Sequence, residues 1–210
     1  MTTELALKNL ALGTFIGTER LTTLTDDVPA RYALDAIYAG VLQLMLKRGI
    51  WLFALKAAEL TKEVTAPTFH RQHAYAKPDD FVRLARIGVD ARMDVELMNY
   101  RQDGDFFYAD QDPIFMQYVS NDEDYGGDLS RYPEAYTQAV AAELAYQSLL
   151  PINKDRGDRA DLYKIKAQAL DLSRRQDAVD EPVKSQPSGR LVRSRIGYGS
   201  TNGTMRGLRY

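Results

Sequence analysis

The 210-residue sequence contains no cysteine, which excludes disulfides, thiolate metal sites and thiol nucleophiles. That fits a reducing compartment without requiring one. No run approaches the roughly 18 apolar residues that a membrane helix needs, so no span is expected. Met1, Thr2, Thr3 and Glu4 lack the basic start and apolar core of a signal peptide, and none is expected. Catalytic signatures are missing too. There is no Gly-x-Ser-x-Gly elbow and no Walker lysine. Gly197-Tyr198-Gly199 has neither a strand before it nor a capped helix after it, so it is no phosphate loop. These absences predict a chain that is not an enzyme and carries no cofactor.

What is present is ordinary in bulk. Hydrophobic residues make up 45% and charged residues 27%, the balance of a soluble globular protein rather than a disordered chain or a coiled-coil rod. The net charge of −2 conceals a division. From Pro182 to Tyr210 there are six cations (Lys184, Arg190, Arg193, Arg195, Arg206 and Arg209), no carboxylate and five of the 14 glycines. Subtracting that +6 from the total leaves −8 on residues 1–181. An acidic body joined to a basic, glycine-rich arm is the feature to explain.

Hydrophobic periodicity predicts an α+β chain. Leu5 to Leu12 reads as a short helix stopped at Gly13. A second helix is capped by Asp26 or Asp27 and carries Pro29 in its first turn. Its apolar row is Leu34, Ile37, Tyr38, Val41 and Met45, and it stops at Gly49. Trp51, Phe53 and Leu55 then alternate as in a strand. Val82-Leu84 and Ile87-Val89 are strand-like, with a break in phase near Ala85. Val95–Tyr100 and Phe106–Tyr108 flank an Asp103-Gly104 hairpin turn, and Ile114–Val119 reads as a further strand after Pro113. After the acidic turn Asn121–Asp128, a helix opens at Tyr132-Pro133-Glu134, with Tyr136, Val140 and Leu144 in register and Pro151 at its end. A last helix over about 155–177 carries Leu162, Ile165, Ala169 and Leu172 at helical spacing. The expected organisation is N-terminal helices (1–50), a β-rich insertion forming an antiparallel meander or small barrel (51–130), C-terminal helices packing with 1–50 as a bundle (131–178), and an extended basic arm (179–210).

Candidate sites in the body are weak. His70 and His73 could share a metal only on a helix, which Pro67 opposes, and no third ligand has suitable spacing. The run Asn121–Asp128 lacks the glycine and glutamate positions of a calcium loop, so a solvated turn is expected. Asp103, Asp105, Asp110 and Asp112 sit at a hairpin tip with nothing to desolvate them, which argues for surface charge over acid–base chemistry. The arm remains. It reads as a disordered tail, as a nucleic-acid contact or as a segment that orders on an acidic protein. With only Tyr198 and Tyr210 as aromatics, stacking on single strands is poorly supported.

The order of several short motifs resembles the tail tubular protein A family, the head-to-tail adaptors of short-tailed bacteriophages. After two N-terminal helices comes Arg48-Gly49-Ile50-Trp51-Leu52-Phe53-Ala54, near that family's Trp-x-Phe signature. Tyr75-Ala76-Lys77-Pro78-Asp79-Asp80-Phe81-Val82-Arg83-Leu84 is similar to its aromatic-x-x-Pro-x-Asp-x-x-Arg stretch. Val95-Glu96-Leu97 through Asp103-Gly104 resembles its next strand pair. Gln117-Tyr118-Val119, then Tyr132-Pro133-Glu134-Ala135-Tyr136 and an alanine-rich helix follow in the same order. Ser188-Gly189-Arg190-Leu191-Val192-Arg193-Ser194-Arg195 resembles the closing arm, whereas Ile196–Tyr210 departs from the pattern. The resemblance implies a structural virion protein, made in the bacterial host cytoplasm and located in the phage neck. It implies a ring, usually twelvefold, between the portal protein and a nozzle of the tail tubular protein B type, with tail fibres as further candidate neighbours and genomic DNA passing through. Arg190, Arg193 and Arg195, with Lys184, Arg206 and Arg209, would contact the portal. The alternative is a nucleic-acid-binding protein with a basic C-terminal tail.

Overall fold

The first helix, α1 (Glu4–Leu10), starts where the Thr3 hydroxyl accepts from the Ala6 N–H. It does not stop at Gly13. A π-helical turn carries it through Ala11–Ile16, and Gly17, at φ 76°, ends it. At Gly13 the missing side chain leaves room for Arg20, whose Nε would lie 2.6 Å from a Cβ there. The structure, a computed structural model, describes residues 2–64, 67, 71–153 and 157–181. Residues Met1–Asp180 form one compact unit.

Helix α2 (Pro29–Lys47) carries the expected row, with Leu34, Val41 and Met45 buried. Its cap differs from expectation. Val28 occupies the N-cap, while Asp26 accepts from the Thr22 and Thr23 backbone and so orders the loop before the helix. Residues 52–54 form a 3₁₀ turn rather than extended chain, and β1 (Leu55–Leu60) begins after it. The other strands are β2 (His73–Ala76), β3 (Phe81–Gly88), β4 (Arg101–Asp103), β5 (Phe106–Ala109) and β6 (Ile114–Ser120).

These strands make two three-stranded antiparallel sheets, ordered β1-β6-β3 and β2-β5-β4. That is not a meander, because β6 lies between β1 and β3 rather than beside β5. The sheets are joined at two corners. Beyond β1, Lys62 bridges to Tyr75 and the Glu63 N–H donates to Ala74 O at 2.8 Å. Beyond β3, residues 95–97 pair back on 87–89 before the chain enters β4. Val95–Leu97 thus serves β3, and only Arg101–Asp103 makes the expected hairpin. Its turn is Gly104-Asp105, one residue later than expected. Gly104 alone takes a positive φ, 51°, which suits glycine at the first central position. The phase break near Ala85 is a register shift between Leu84 and Arg86. Leu60, Tyr75, Ile87, Phe107, Ile114, Met116 and Tyr118 form the apolar core of this part.

Helix α3 (Glu134–Asn153) continues through Pro151 in its last turn, and α4 (Gly157–Asp180) follows. Helix α3 is the central element, packed against α1, α2 and α4. Ala139, Val140, Ala141, Ala142, Leu144 and Ala145 are all buried, so its middle is covered on every side rather than along one stripe, while Glu134 and Gln138 near its start are exposed. The row read on α4 lies on a helix as expected, but only part of it meets the core. Leu162 is buried and Ala169 packs against the core, but Ile165 and Leu172 are exposed. The fold is therefore mixed, with four α-helices and two antiparallel sheets among the described residues. No helix among them is long and apolar enough to cross a membrane.

Candidate functional site

The six sequence-predicted contact residues, Lys184, Arg190, Arg193, Arg195, Arg206 and Arg209, lie outside the described residues, as does His70. What the body contributes is a set of polar junctions that hold its surfaces in fixed relation.

The first junction ties the β-region to the acidic turn. In the β1–β6 register Lys56 stands opposite Tyr118. Phe81 pairs with Ser120, which brings Asp80 to the same end of the sheet. Lys56 Nζ donates to Asp80 at 2.8 Å and to Asp122 at 2.9 Å. Asp80 also accepts from the Tyr118 hydroxyl at 3.0 Å and the Ser120 hydroxyl at 2.6 Å. Hydrogen bonds to Asp80 and Asp122 raise the Lys56 pKa. Burial pushes the Asp80 carboxyl up, but the Lys56, Ser120 and Tyr118 donors together hold it below its ordinary value. Asp122 is lowered, chiefly by its Lys56 hydrogen bond. Burial, then the Asp80 contact, raises Tyr118. Each shift moves a group's titration further from neutral pH, so the junction carries fixed charge rather than an exchangeable proton.

Asn121–Asp128 is a turn with Asn121, Glu123, Asp124 and Gly127 exposed, as expected, but it is also anchored. Asp122 anchors it to β1, and the Gly126 N–H donates to Ser120 O at 3.2 Å. A Cβ on Gly126 would overlap the Ser120 carbonyl, and one on Gly127 would sit 2.6 Å from Asn121 O.

The second junction surrounds the carbonyl end of α2. Arg83 from β3 donates to Lys47 O at 2.9 Å, and Arg174 from α4 to Arg48 O at 2.6 Å. The Trp51 indole N–H donates to Met45 O at 2.9 Å. The two arginines supply donors to carbonyls at the helix end, where intrahelical partners run out, while Met45 O also accepts the Arg48 N–H at 3.2 Å. Nearby, Glu143 of α3 is 3% exposed and paired with Arg48 at 2.7 Å and Lys166 at 3.3 Å. Burial raises its carboxyl, but Gln147, Arg48 and Lys166 outweigh it and the pKa ends below the ordinary value. Lys166 also lies 3.6 Å from the Tyr146 ring centroid.

The other sequence candidates separate. His73 packs edge-on against Tyr75. Asp110 pairs with Arg71, Asp112 with Lys62, and Asp103 lies 3.9 Å from Arg101. These carboxylates each hold a local cation and do not converge. Among the described residues no group of three or more His, Cys, Asp or Glu side chains is placed to hold a metal ion. Sequence reasoning missed both junctions, because nearly all their contacts join residues 23 to 126 positions apart and no local spacing joins them. Set against known proteins, the chain matches no protein-family model and no curated protein.

Proposed function

We propose that this chain is a structural virion protein: a head-to-tail adaptor that forms a ring between a phage portal and the tail nozzle and surrounds the DNA exit channel. The observation that carries this reading is the ordered series of motifs resembling the tail tubular protein A family, together with the division of charge into −8 and +6. An acidic body suits a channel for DNA, since a basic lining would retain phosphates and slow transit. A basic segment poor in apolar residues suits a part that gains its order from a neighbour.

The body offers further support. The helices share a continuous buried core, and crosslinked helix ends make a stiff unit for repeated packing. Helix α4 leaves Ile165, Leu172 and Val179 exposed at 40%, 55% and 82%. These positions recur every seven residues, a row that a neighbouring subunit in a ring would cover. Cyclic assembly joins two different faces of each copy and closes by rotation. In this reading the N- and C-terminal helices act as one bundle, twelve copies make the ring, and Arg190, Arg193 and Arg195 bind acidic side chains or carbonyls of the portal.

Negative-stain images of the purified protein, with and without portal, test the proposal. Rings of fixed symmetry on portal-bearing heads are expected. Removing residues 183–210 should leave a folded body that no longer attaches. Normal tail assembly with that truncated chain would overturn the docking role. The nucleic-acid reading is favoured by the same six cations. It requires salt-sensitive DNA binding by a persistent monomer, lost when Arg190, Arg193 and Arg195 are replaced.

A further inference from the structure

Three cations gather around the carbonyl end of α2 without meeting a carboxylate. Arg83 from β3 and Arg174 from α4 hold the consecutive carbonyls of Lys47 and Arg48, at 2.9 and 2.6 Å, and Lys47 is the last residue of the helix. All three residues are exposed. Among the described residues no carboxylate pairs with them, whereas the adjoining Arg48 is neutralised by Glu143. The helix end opposes them with only about half a negative charge. The patch therefore stays positive on a body that carries −8 over residues 1–181. A guanidinium has five N–H donors, so one bond to a carbonyl fixes each arginine and leaves donors free. Little side-chain freedom remains to be lost on binding.

The same body presents a matching surface. Glu123 and Asp124 are the central residues of a turn closed by the Tyr125 N–H, which donates to Asp122 O at 2.9 Å. The Gly127 N–H reaches the same carbonyl at 2.9 Å, and the Asp122 side chain is anchored to Lys56. Glu123 and Asp124 are exposed, and neither has a cation partner among the described residues. Two adjacent carboxylates thus stand on a rigid support, unpaired within their own chain.

We propose that the patch of Lys47, Arg83 and Arg174 binds the Glu123-Asp124 turn of a second copy of the chain. Charge complementarity identifies the occupant. Guanidinium forks match carboxylates in both geometry and charge, and two fixed arginines can each take one. A short turn responds to the patch alone, because salt screens charges lying beyond about 8–10 Å. Duplex DNA would run past the patch onto the acidic body and be repelled there. Patch and turn are different surfaces of one chain, so their contact is heterologous, the kind that closes a ring by rotation. The inference rests on the ring reading and supplies a contact between neighbouring subunits that sets their register.

Carbodiimide coupling joins a lysine amine to a carboxylate only where the two touch. Ordinary and heavy-isotope full-length protein, mixed and coupled, should yield a link of mixed isotope from Lys47 to Glu123 or Asp124. Its yield should fall as salt rises. Links of one isotope only, or none at any protein concentration, overturn the contact. The double variants Glu123→Lys, Asp124→Lys and Arg83→Glu, Arg174→Glu should each weaken self-association by about tenfold or more in sedimentation. Mixing them should restore it to within about threefold, because each variant then meets its complement on both sides. A mixture no stronger than its parts refutes the pairing. Asp94→Lys, Glu96→Lys makes the same charge change beyond the far end of β3 and should weaken association by no more than about twofold. An equal loss there would reduce the contact to diffuse attraction and end the proposal. If a variant fails to fold, the coupling of native chains decides alone. Duplex DNA that shields Lys47 in a monomer would assign the patch to phosphate instead. Closed pairs carrying the mixed link would keep this contact and defeat the ring, whereas portal-bound rings without the link would defeat only this inference.

Discussion

Arg48 donates to the buried carboxylate of Glu143 across 2.7 Å, joining the carbonyl end of α2 to the middle of α3. Lys166 approaches the same carboxylate from α4 at 3.3 Å. One acidic side chain thus holds three helices in register. Its removal would leave two partly buried cations without a counter-charge. Glu143→Ala should destabilise the chain by about 3 kcal/mol, measured as a lower urea midpoint with unchanged slope. An unchanged midpoint would show that the pair contributes nothing.

The pH dependence follows from the same group and from Asp80. Both carboxyls are depressed in the folded protein, from ordinary values of 4.5 and 3.8. Their stabilisation is therefore fully present above those ordinary values and is lost as pH falls below them through the folded values. The thermal midpoint should drop on acidification below about pH 4.5. The Glu143→Gln, Asp80→Asn double variant should start lower at neutral pH and lose less of its midpoint on acidification than the native chain. Parallel curves for variant and native protein would assign acid sensitivity to other carboxylates.

Two glycines should respond to alanine with opposite signs. A Cβ at Gly126 would collide with the Ser120 carbonyl, part of the backbone rather than a yielding side-chain tip. Gly126→Ala should cost about 2 kcal/mol or more. Gly40 sits inside α2, and a methyl group added there would meet nothing within 4 Å. Gly40→Ala should therefore stabilise by about 0.5–1 kcal/mol. Chemical denaturation of both variants checks the pair, and a shared sign would refute the packing argument.

The contrast between these glycines shows what the sequence could disclose. Helix α2 was legible because its buried row recurs at helical spacing, and the bulge in β3 was legible as a break in alternation at Ala85. On α4 the spacing marked a row without saying which of its members meet the core, and Ile165 and Leu172 turn out exposed. Helix α3, buried all round through its middle, has no preferred stripe there for periodicity to find. The hairpin turn slipped by one residue because Asp-Gly and Gly-Asp both satisfy turn chemistry, and strand register decides between them. Lys56, Asp80 and Asp122 meet only after the sheet has formed. The six cations of 182–210 were found by counting charge, which needs no fold.

The Lys56–Asp80 pair allows a last prediction that separates contact from context. Their side chains are 27% and 20% exposed, and Asp80 keeps the Tyr118 and Ser120 donors when the lysine is lost. Lys56→Met should therefore cost less than Asp80→Asn, which weakens three hydrogen bonds at once. Because the two side chains touch, their losses should not add. A double-mutant cycle should give a coupling of about 1 kcal/mol or more. Pairing Lys56→Met with Asp122→Asn should give a smaller coupling, since Asp122 is 36% exposed and water replaces part of its contact. Equal coupling at both aspartates would mean that Lys56 acts as a diffuse charge at the sheet end, with no preferred partner.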